Sequence, residues 1–432
     1  MNVKTIKSLC GMLAMLAFTA CSSNIDESAD APRFYNVTLT ASMEGGDTRA
    51  LSEGAENAII ASFAENDEVV VVKANGTSVG TLTAQTAGAS TTLSGPLNAA
   101  SLTVGEEVKL RYRSATANYD GQLGTLVGIA ANQDYAEGTL TVSTTNPLTF
   151  TSNSVTLSAM QSITKFTFPV KVKTFGIAAV GLVQSIAANG SETIGAVTGT
   201  LAPPYNSVVY VALRNNIKPE QKLAYSFTIQ DENGNWYIFT KQAKLTNGKN
   251  YALNIALTPL PELTSSDAVG TIGMVGGLPA IVLNSTTAVA LMNAGALCPE
   301  AYGTYNIFEN PPSLTGSWRV PTQAELVTLA GFSSSWIDPA PYGVNGRTFT
   351  IGSNSLFLPA AGFIDNDNDE GQQTAYTGKE LVSTYGFYWS QTEATPSSMA
   401  YSLQFSSANI NVFSEYKVNA LTVRPFHALS AQ

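Results

Sequence analysis

Residues 34–50 read FYNVTLTASMEGGDTRA. Tyr35, Val37, Leu39, Ala41 and Met43 alternate with Asn36, Thr38, Thr40 and Ser42, the period-two pattern of a half-buried β-strand. Gly45, Gly46, Asp47 and Thr48 then make a polar run open to proteases, which ends in Arg49 followed by Ala50. A cut between those two residues would release the strand. Its apolar side chains, at roughly 1.5–3 kcal/mol each and less for Ala41, set an upper estimate near ~10 kcal/mol, the scale of a whole domain's stability. A domain that loses such a strand needs another in its place. Taken alone, these residues read more simply as a plain strand and loop with an incidental arginine, and only the rest of the chain reverses that.

Residues 1–20 carry Lys4 and Lys7, an apolar run over 9–18, and Thr19 and Ala20 ahead of Cys21. This is a secretory signal, too short to span a bilayer well. The run Phe18-Thr19-Ala20-Cys21 resembles a bacterial lipoprotein box, with Phe18 where an aliphatic residue is usual. The resemblance implies a lipid on Cys21 that tethers the exported precursor to the outer membrane without a spanning helix. Residues 22–30 are the polar, acidic tether expected after an anchor. Cys10 leaves with the signal and Cys21 carries lipid, so Cys298 alone stays in the folded body and no intrachain disulfide is available. Stability must come from core burial, which 432 residues can supply over two or three domains. A formal charge of −10 and a pI near 4.7 make the chain a poor candidate for nucleic acid or anionic lipid, and no nucleic-acid partner is expected.

With 12% charged residues and little helical periodicity, the composition is that of a β protein. Short β-rich runs at 68–74, 78–84, 108–112, 138–142 and 154–157 predict a first sandwich over 50–160, with 21–49 as its lipidated, removable leader. SITKFTFPVKVK at 162–173 opens a second sandwich over 161–258, continued at 208–213, 223–230, 236–240 and 251–257. DENGN at 231–235 is the turn of a hairpin. PLPELTSSD at 259–267 is a linker to a separate domain, 268–432, which holds Trp318, Trp336 and Trp389. In WRVPTQAEL, Thr322 and Glu325 have capping-box spacing and predict a helix with Leu326, Val327 and Leu329 inward.

The lipoprotein signal, the first strand ending in Thr48-Arg49-Ala50, the two sandwiches and the closing run LTNGKNYAL at 245–253 together resemble the fimbrillin family of type V pilus subunit precursors. The resemblance spans 1–258. It implies tandem transthyretin-like β-sandwiches, removal of the first strand by an arginine-specific protease, and its replacement by a donor strand from the next subunit. On this chain the cut falls after Arg49, and Tyr35, Val37, Leu39, Ala41 and Met43 mark the strand lost. The ordered set WRVPTQAEL, LFLPAAGF, GFYWSQT and VRPF resembles a C-type-lectin-like module of gut-bacterial surface proteins. That implies an α+β domain with ligand-binding loops on a fold that serves many ligands. Trp318, Pro321, Trp389 and Arg424 read as its core and corner residues.

Ligand-binding candidates are the aromatic residues near loops, Trp336, Tyr342 and Tyr376, with Tyr385 beside them and Trp336 the one expected to be exposed. Asp365, Asp367 and Asp369 alternate in IDNDNDEG and offer carboxylates to calcium. An EF-type loop fails there, because Glu370 and Tyr376 stand where Gly and a bidentate Glu belong. No cofactor is expected beyond that calcium option. Catalysis has little support: His427 is the single histidine and reads as a surface residue past the last strand, and a lone Cys298 does not match the paired cysteines of sulfatase-modifying enzymes that share the lectin-like fold. After Phe426 only HALSAQ follows, too short to act as a donor strand, so the expected place is the fimbrial tip, with other subunits and a host or microbial glycan or protein as partners. The alternative is a surface lipoprotein that never polymerises and binds glycan through 268–432.

Overall fold

A computed structural model describes residues 33–44, 52–53, 59–60, 62–217, 222–339, 342–365 and 379–430. The protein is mainly β. The first sheet contains β1 (Phe34–Met43), β2 (Glu68–Lys73), β3 (Ser78–Ala84), β4 (Ser90–Asn98), β5 (Glu107–Tyr112), β6 (Ala136–Thr145), β7 (Leu148–Phe150) and β8 (Ser154–Ala159). Their order is β7-β6-β8-β1-β4-β3-β2-β5, and β5 pairs back onto β6. The sheet therefore closes on itself and hides the edges an open sheet would present. Val37, Leu39, Leu82, Leu93, Val108 and Leu110 fill the interior. β4 is poorly announced by its sequence, since Gly95-Pro96 reads as a turn. The glycine is needed where it stands, because a Cβ on Gly95 would lie 2.5 Å from the Thr81 carbonyl oxygen of β3.

The second sheet contains β9 (Ser162–Ala178), β10 (Leu182–Ile186), β11 (Glu192–Ile194), β12 (Val197–Thr200), β13 (Asn206–Asn215), β14 (Leu223–Asp231), β15 (Trp236–Ala243) and β16 (Asn250–Asn254). β9 runs 17 residues. Its first half pairs antiparallel with β13 and parallel with β16; its second half pairs with β12 and β14. The change of partners falls around Pro169, which has no N–H to donate. The turn after β14 is held by Asp231, whose Oδ1 accepts from the backbone N–H groups of Asn233 and Asn235 at 2.9 Å each. Both sheets share one layout. β1 lies between antiparallel β4 and parallel β8, and β9 lies between antiparallel β13 and parallel β16.

Between β5 and β6 the chain leaves the first sheet. Ala117–Asn118 pairs with β10, and Tyr119 and Ile129, the latter on helix α1 (Leu126–Asn132), enter the second core. Gln122 fixes this crossing. Its Nε2 donates to Ala212 O (2.7 Å) and Tyr119 O (2.8 Å), and its Oε1 accepts from Ala212 N (2.9 Å), so a buried side chain stands in for a strand against β13. Arg111, also buried, donates to Glu137 at 2.8 Å within the first sheet and to Ala188 O at 2.8 Å in the turn between β10 and β11. Part of the 50–160 stretch thus belongs physically to the second core.

The C-terminal module has a five-stranded sheet formed by 272–275, 278–284, 287–290, 426–428 and 318–319, and two three-stranded sheets, 334–337/346–351/354–359 and 386–393/399–405/410–416. Helix α2 (Gln323–Ala330) starts at Thr322, whose hydroxyl accepts from Glu325 N while the Glu325 carboxylate accepts from Thr322 N. Leu326 and Leu329 are buried, but Val327 is 52% exposed. The expectation of three inward residues is corrected to two, because residues three apart share a helix face and an adjacent residue is turned about 100° away. His427 is corrected too. It lies within the last strand, Phe426–Ala428, half-buried and edge-on to Trp318 at 5.0 Å.

Candidate functional site

The strand slot of the first sheet is the first candidate. β1 matches nine residues of β4, from Phe34 against Asn98 to Ser42 against Ser90, and four of β8, from Thr40 against Ser154 to Met43 against Leu157. Val37, Leu39, Ala41 and Met43 point into the ring and are buried. Tyr35 is half-buried at its mouth and its hydroxyl donates to Asn146 Oδ1 at 2.7 Å. On the outer face Thr38 meets Ser94 and Ser42 meets Thr156. Without β1 the ring would open and leave rows of unpaired N–H and C=O groups on β4 and β8, together with an apolar trough. What fits that trough is another strand of the same alternation. Cys21, Arg49 and Ala50 lie outside the described residues.

In the C-terminal module, Trp336 is half-buried on the strand 334–337, opposite Arg347, and packs on the module's core. Tyr342 stacks one ring face on Phe357 at 4.1 Å, and its hydroxyl, near Thr348, is pushed to higher pKa by burial. Asp365 is half-buried next to the pair Phe363–Ile364. Asp367, Asp369 and Tyr376 lie outside the described residues. Trp318 and Trp389 are buried and donate their indole N–H groups to Gly276 O and Asn306 O. Pro321 is buried and its carbonyl accepts from Gln391 N at 2.7 Å. Arg424 is buried outright, and its guanidinium donates to Ala290 O and Phe357 O.

The module also docks on the second sandwich. Trp236 of β15 donates its indole N–H to Gly277 O at 3.0 Å, and Cys298 packs with Ala178 and Ala196. Beside this contact lies a cleft of about 320 Å³ with Asp120, Gln184 and Thr198 on one wall and Glu300, Ala301, Tyr302 and Lys379 on the other. Neither Asp120 nor Glu300 stands in a pattern that sequence alone marks as a site. Glu300 is 2% exposed and its Oε2 has no hydrogen-bond partner. Burial pushes its carboxyl above the usual carboxylate range, against the pull of its own backbone N–H, Ser226, Cys298 and Arg424. Cys298 beneath it is also pushed up by burial, so its thiol is not an activated nucleophile.

A raised carboxyl binds its proton more tightly in the folded chain. Its stabilising contribution is full below the unfolded value of about 4.3 and is lost as pH rises through the folded one, each tenfold tightening of proton binding being worth about 1.4 kcal/mol. Glu300→Gln is therefore expected to raise the unfolding midpoint at neutral pH and to flatten its decline above pH ~4.3, read from denaturant melts across pH. An unchanged pH profile would mean that Glu300 is not held as described.

A family model described as a domain of unknown function, DUF8237, matches residues 350–426. No curated protein matches the chain. Among solved structures, a Bacteroides ovatus protein with a suggested role in cell adhesion is similar at 11% identity and TM-score 0.30, over 52% of this chain and 95% of that one. A fimbrial assembly protein from Parabacteroides distasonis is similar at 10% identity and TM-score 0.25, over 52% and 92%. The tip fimbrial protein Mfa3 from Porphyromonas gingivalis, with a C-terminal truncation, is similar at 8% identity and TM-score 0.25, over 56% and 85%. Overlap at these scores is slight, and the functional reading rests on the chain's own strands.

Proposed function

We propose that this chain is the precursor of an adhesive, non-enzymatic pilus subunit. It is exported, lipidated at Cys21, anchored at the outer membrane, cut after Arg49, and joined to a neighbouring subunit by a strand that replaces β1. The observation that carries this reading is the seat of β1: an inner strand of a closed ring, followed within a few residues by Thr48-Arg49-Ala50. Loss of an outer strand would only trim a sheet, whereas loss of this one opens a trough that a second strand of matching alternation can close. The C-terminal module is then the part that meets a glycan or protein ligand. Its last strand is held between 287–290 and 318–319, and Leu429 N donates to Thr286 O, which commits residues 426–429 to the module itself.

A second reading, a lone surface lipoprotein that keeps its own β1, draws on the bond between Tyr35 and Asn146, which holds that strand in its seat in the uncut chain. N-terminal sequencing of surface material separates the two. Assembly requires a chain that begins at Ala50 and an Arg49→Ala variant that keeps its leader and drops out of fibres. A surface chain that begins at Cys21, with Arg49→Ala unaltered in behaviour, overturns the pilus reading.

A further inference from the structure

We propose that the contact between the second sandwich and the C-terminal module is a pH-dependent latch: the module's hold on the sandwich is firm while Glu300 keeps its proton and slackens as that carboxyl ionises. This goes beyond the adhesive reading and does not depend on the chain being cut or polymerised. The contact is closely fitted. A Cβ on Gly176 of β9 would lie 2.6 Å from the Cβ of Cys298, and one on Gly343 would run into the Ala179 carbonyl. Trp236 donates across the contact to Gly277 O at 3.0 Å, and Ile238 of β15 packs on the module's core. The pivot lies between Leu257, which packs on the second core, and Leu263, which is buried in the module.

Glu300 is sealed into this contact at 2% exposure. Its carboxyl bonds Ser226 of β14 on the sandwich side and Cys298 on the module side, and its Oε2 has no partner. A neutral acid tolerates that seat, whereas a carboxylate there is a buried charge with an unserved oxygen. The charges around it do not relieve the cost. Arg424 attracts the carboxylate, but its guanidinium donates to Ala290 O and Phe357 O. Asp120, across the cleft, carries the same sign, and Lys379 stands at the exposed rim. Burial raises Tyr302 and Tyr342, so both stay neutral. Once the module lifts into water, the carboxyl regains an ordinary value of about 4.3. Docking is therefore full below pH ~4.3 and is lost as pH rises through the docked carboxyl's higher value, by at most about tenfold per pH unit for one proton.

Cys298 reports the latch, because its side chain is 1% exposed and packs against Ala178 and Ala196 of the sandwich. The full chain is treated with N-ethylmaleimide from pH ~4 to ~8, and labelling is read at Cys298 by peptide mass spectrometry. Each rate is divided by that of the same cysteine in the denatured chain at the same pH, which removes the thiol's own titration. The normalised rate is expected to climb about tenfold or more above pH ~4.3 and then level off. Hydrogen-exchange protection of the module's core strands, 346–351 and 354–359, should hold throughout. Glu300→Gln, neutral at every pH, should stay slow and flat. Gly176→Ala, which pushes a methyl at Cys298 from the sandwich side, should label fast at every pH, and slow labelling there counts against the latch. A flat parent profile, a Glu300→Gln profile that still climbs, or a climb matched by lost protection in the module's core overturns the proposal. Should Glu300→Gln fail to fold, Ser226→Ala replaces it. Loss of a bond that favours the charged form should carry the climb to higher pH, and an unmoved profile overturns the latch. None of these failures would touch the strand slot of β1, so the pilus reading would stand without the latch.

Discussion

A chain shortened to residues 50–432 is expected to lose the fold of its first sandwich while the second sandwich and the C-terminal module stay folded. Val37, Leu39 and Met43 are each more than nine-tenths buried, and Ala41 is fully so. At roughly 1.5–3 kcal/mol for each large side chain, their removal costs up to ~5–9 kcal/mol, before the opened backbone edges of β4 and β8 are counted. That is comparable to the ~5–15 kcal/mol that holds a typical domain together. Denaturant unfolding should show an early or missing first transition, and limited proteolysis should attack residues 62–115 first. A peptide with the sequence FYNVTLTASM, added in trans, should restore protection. A shortened chain that unfolds at the same denaturant concentration as the parent would show that β1 is dispensable, and strand exchange would lose its physical basis. Leu39→Asp in the uncut chain tests the same trough by placing an unpaired charge in the ring.

The second large effect is expected at Arg424. This guanidinium sits at 0% exposure, donates to the carbonyls of Ala290 (3.2 Å) and Phe357 (3.1 Å), and has its pKa pushed down to about 10 by burial. It bonds a strand of the five-stranded sheet to a strand of the 334–359 sheet, so it sets the angle between two parts of the module. Arg424→Ala removes both donors and leaves a large void, for an expected loss of ~3–5 kcal/mol. Lysine should not rescue it, because one ammonium on a flexible stem cannot reproduce a planar fork that reaches two carbonyls. Methionine restores volume without the bonds and should fall between. Chemical denaturation followed by tryptophan fluorescence reads this directly, since Trp318 and Trp389 are both buried in the same module. A melt unchanged in Arg424→Ala would mean that the two sheets are held by something else.

Much of the architecture can be read along the chain. The alternation of Val37, Leu39, Ala41 and Met43 announces β1 because a strand with one buried face needs that period. Thr322 and Glu325 announce the start of α2 because the first turn of a helix leaves N–H groups that a hydroxyl and a carboxylate can satisfy. Asp231 and Gly234 announce the hairpin after β14 for a similar reason, local hydrogen bonding joined to a positive φ of 90° at the glycine. Trp318, Pro321, Trp389 and Arg424 are the core and corner residues of the C-terminal module, and their large or rigid side chains reveal it. Where local signals conflict, the reading fails: Gly95-Pro96 hides β4, and Val327 lies beside the apolar face of its helix without belonging to it.

Local pattern alone determined that this chain is built of strands, where most of them run, and which edge of β1 is apolar, because each depends on residues within a few positions of one another. The tertiary structure decided the rest. That β1 is an inner strand of a closed ring, that Gln122 stands in for a strand against β13, and that Asp120 and Glu300 face one cleft all depend on groups scores of residues apart, brought together by burial, and no spacing along the chain encodes which distant backbone or carboxyl a side chain will meet.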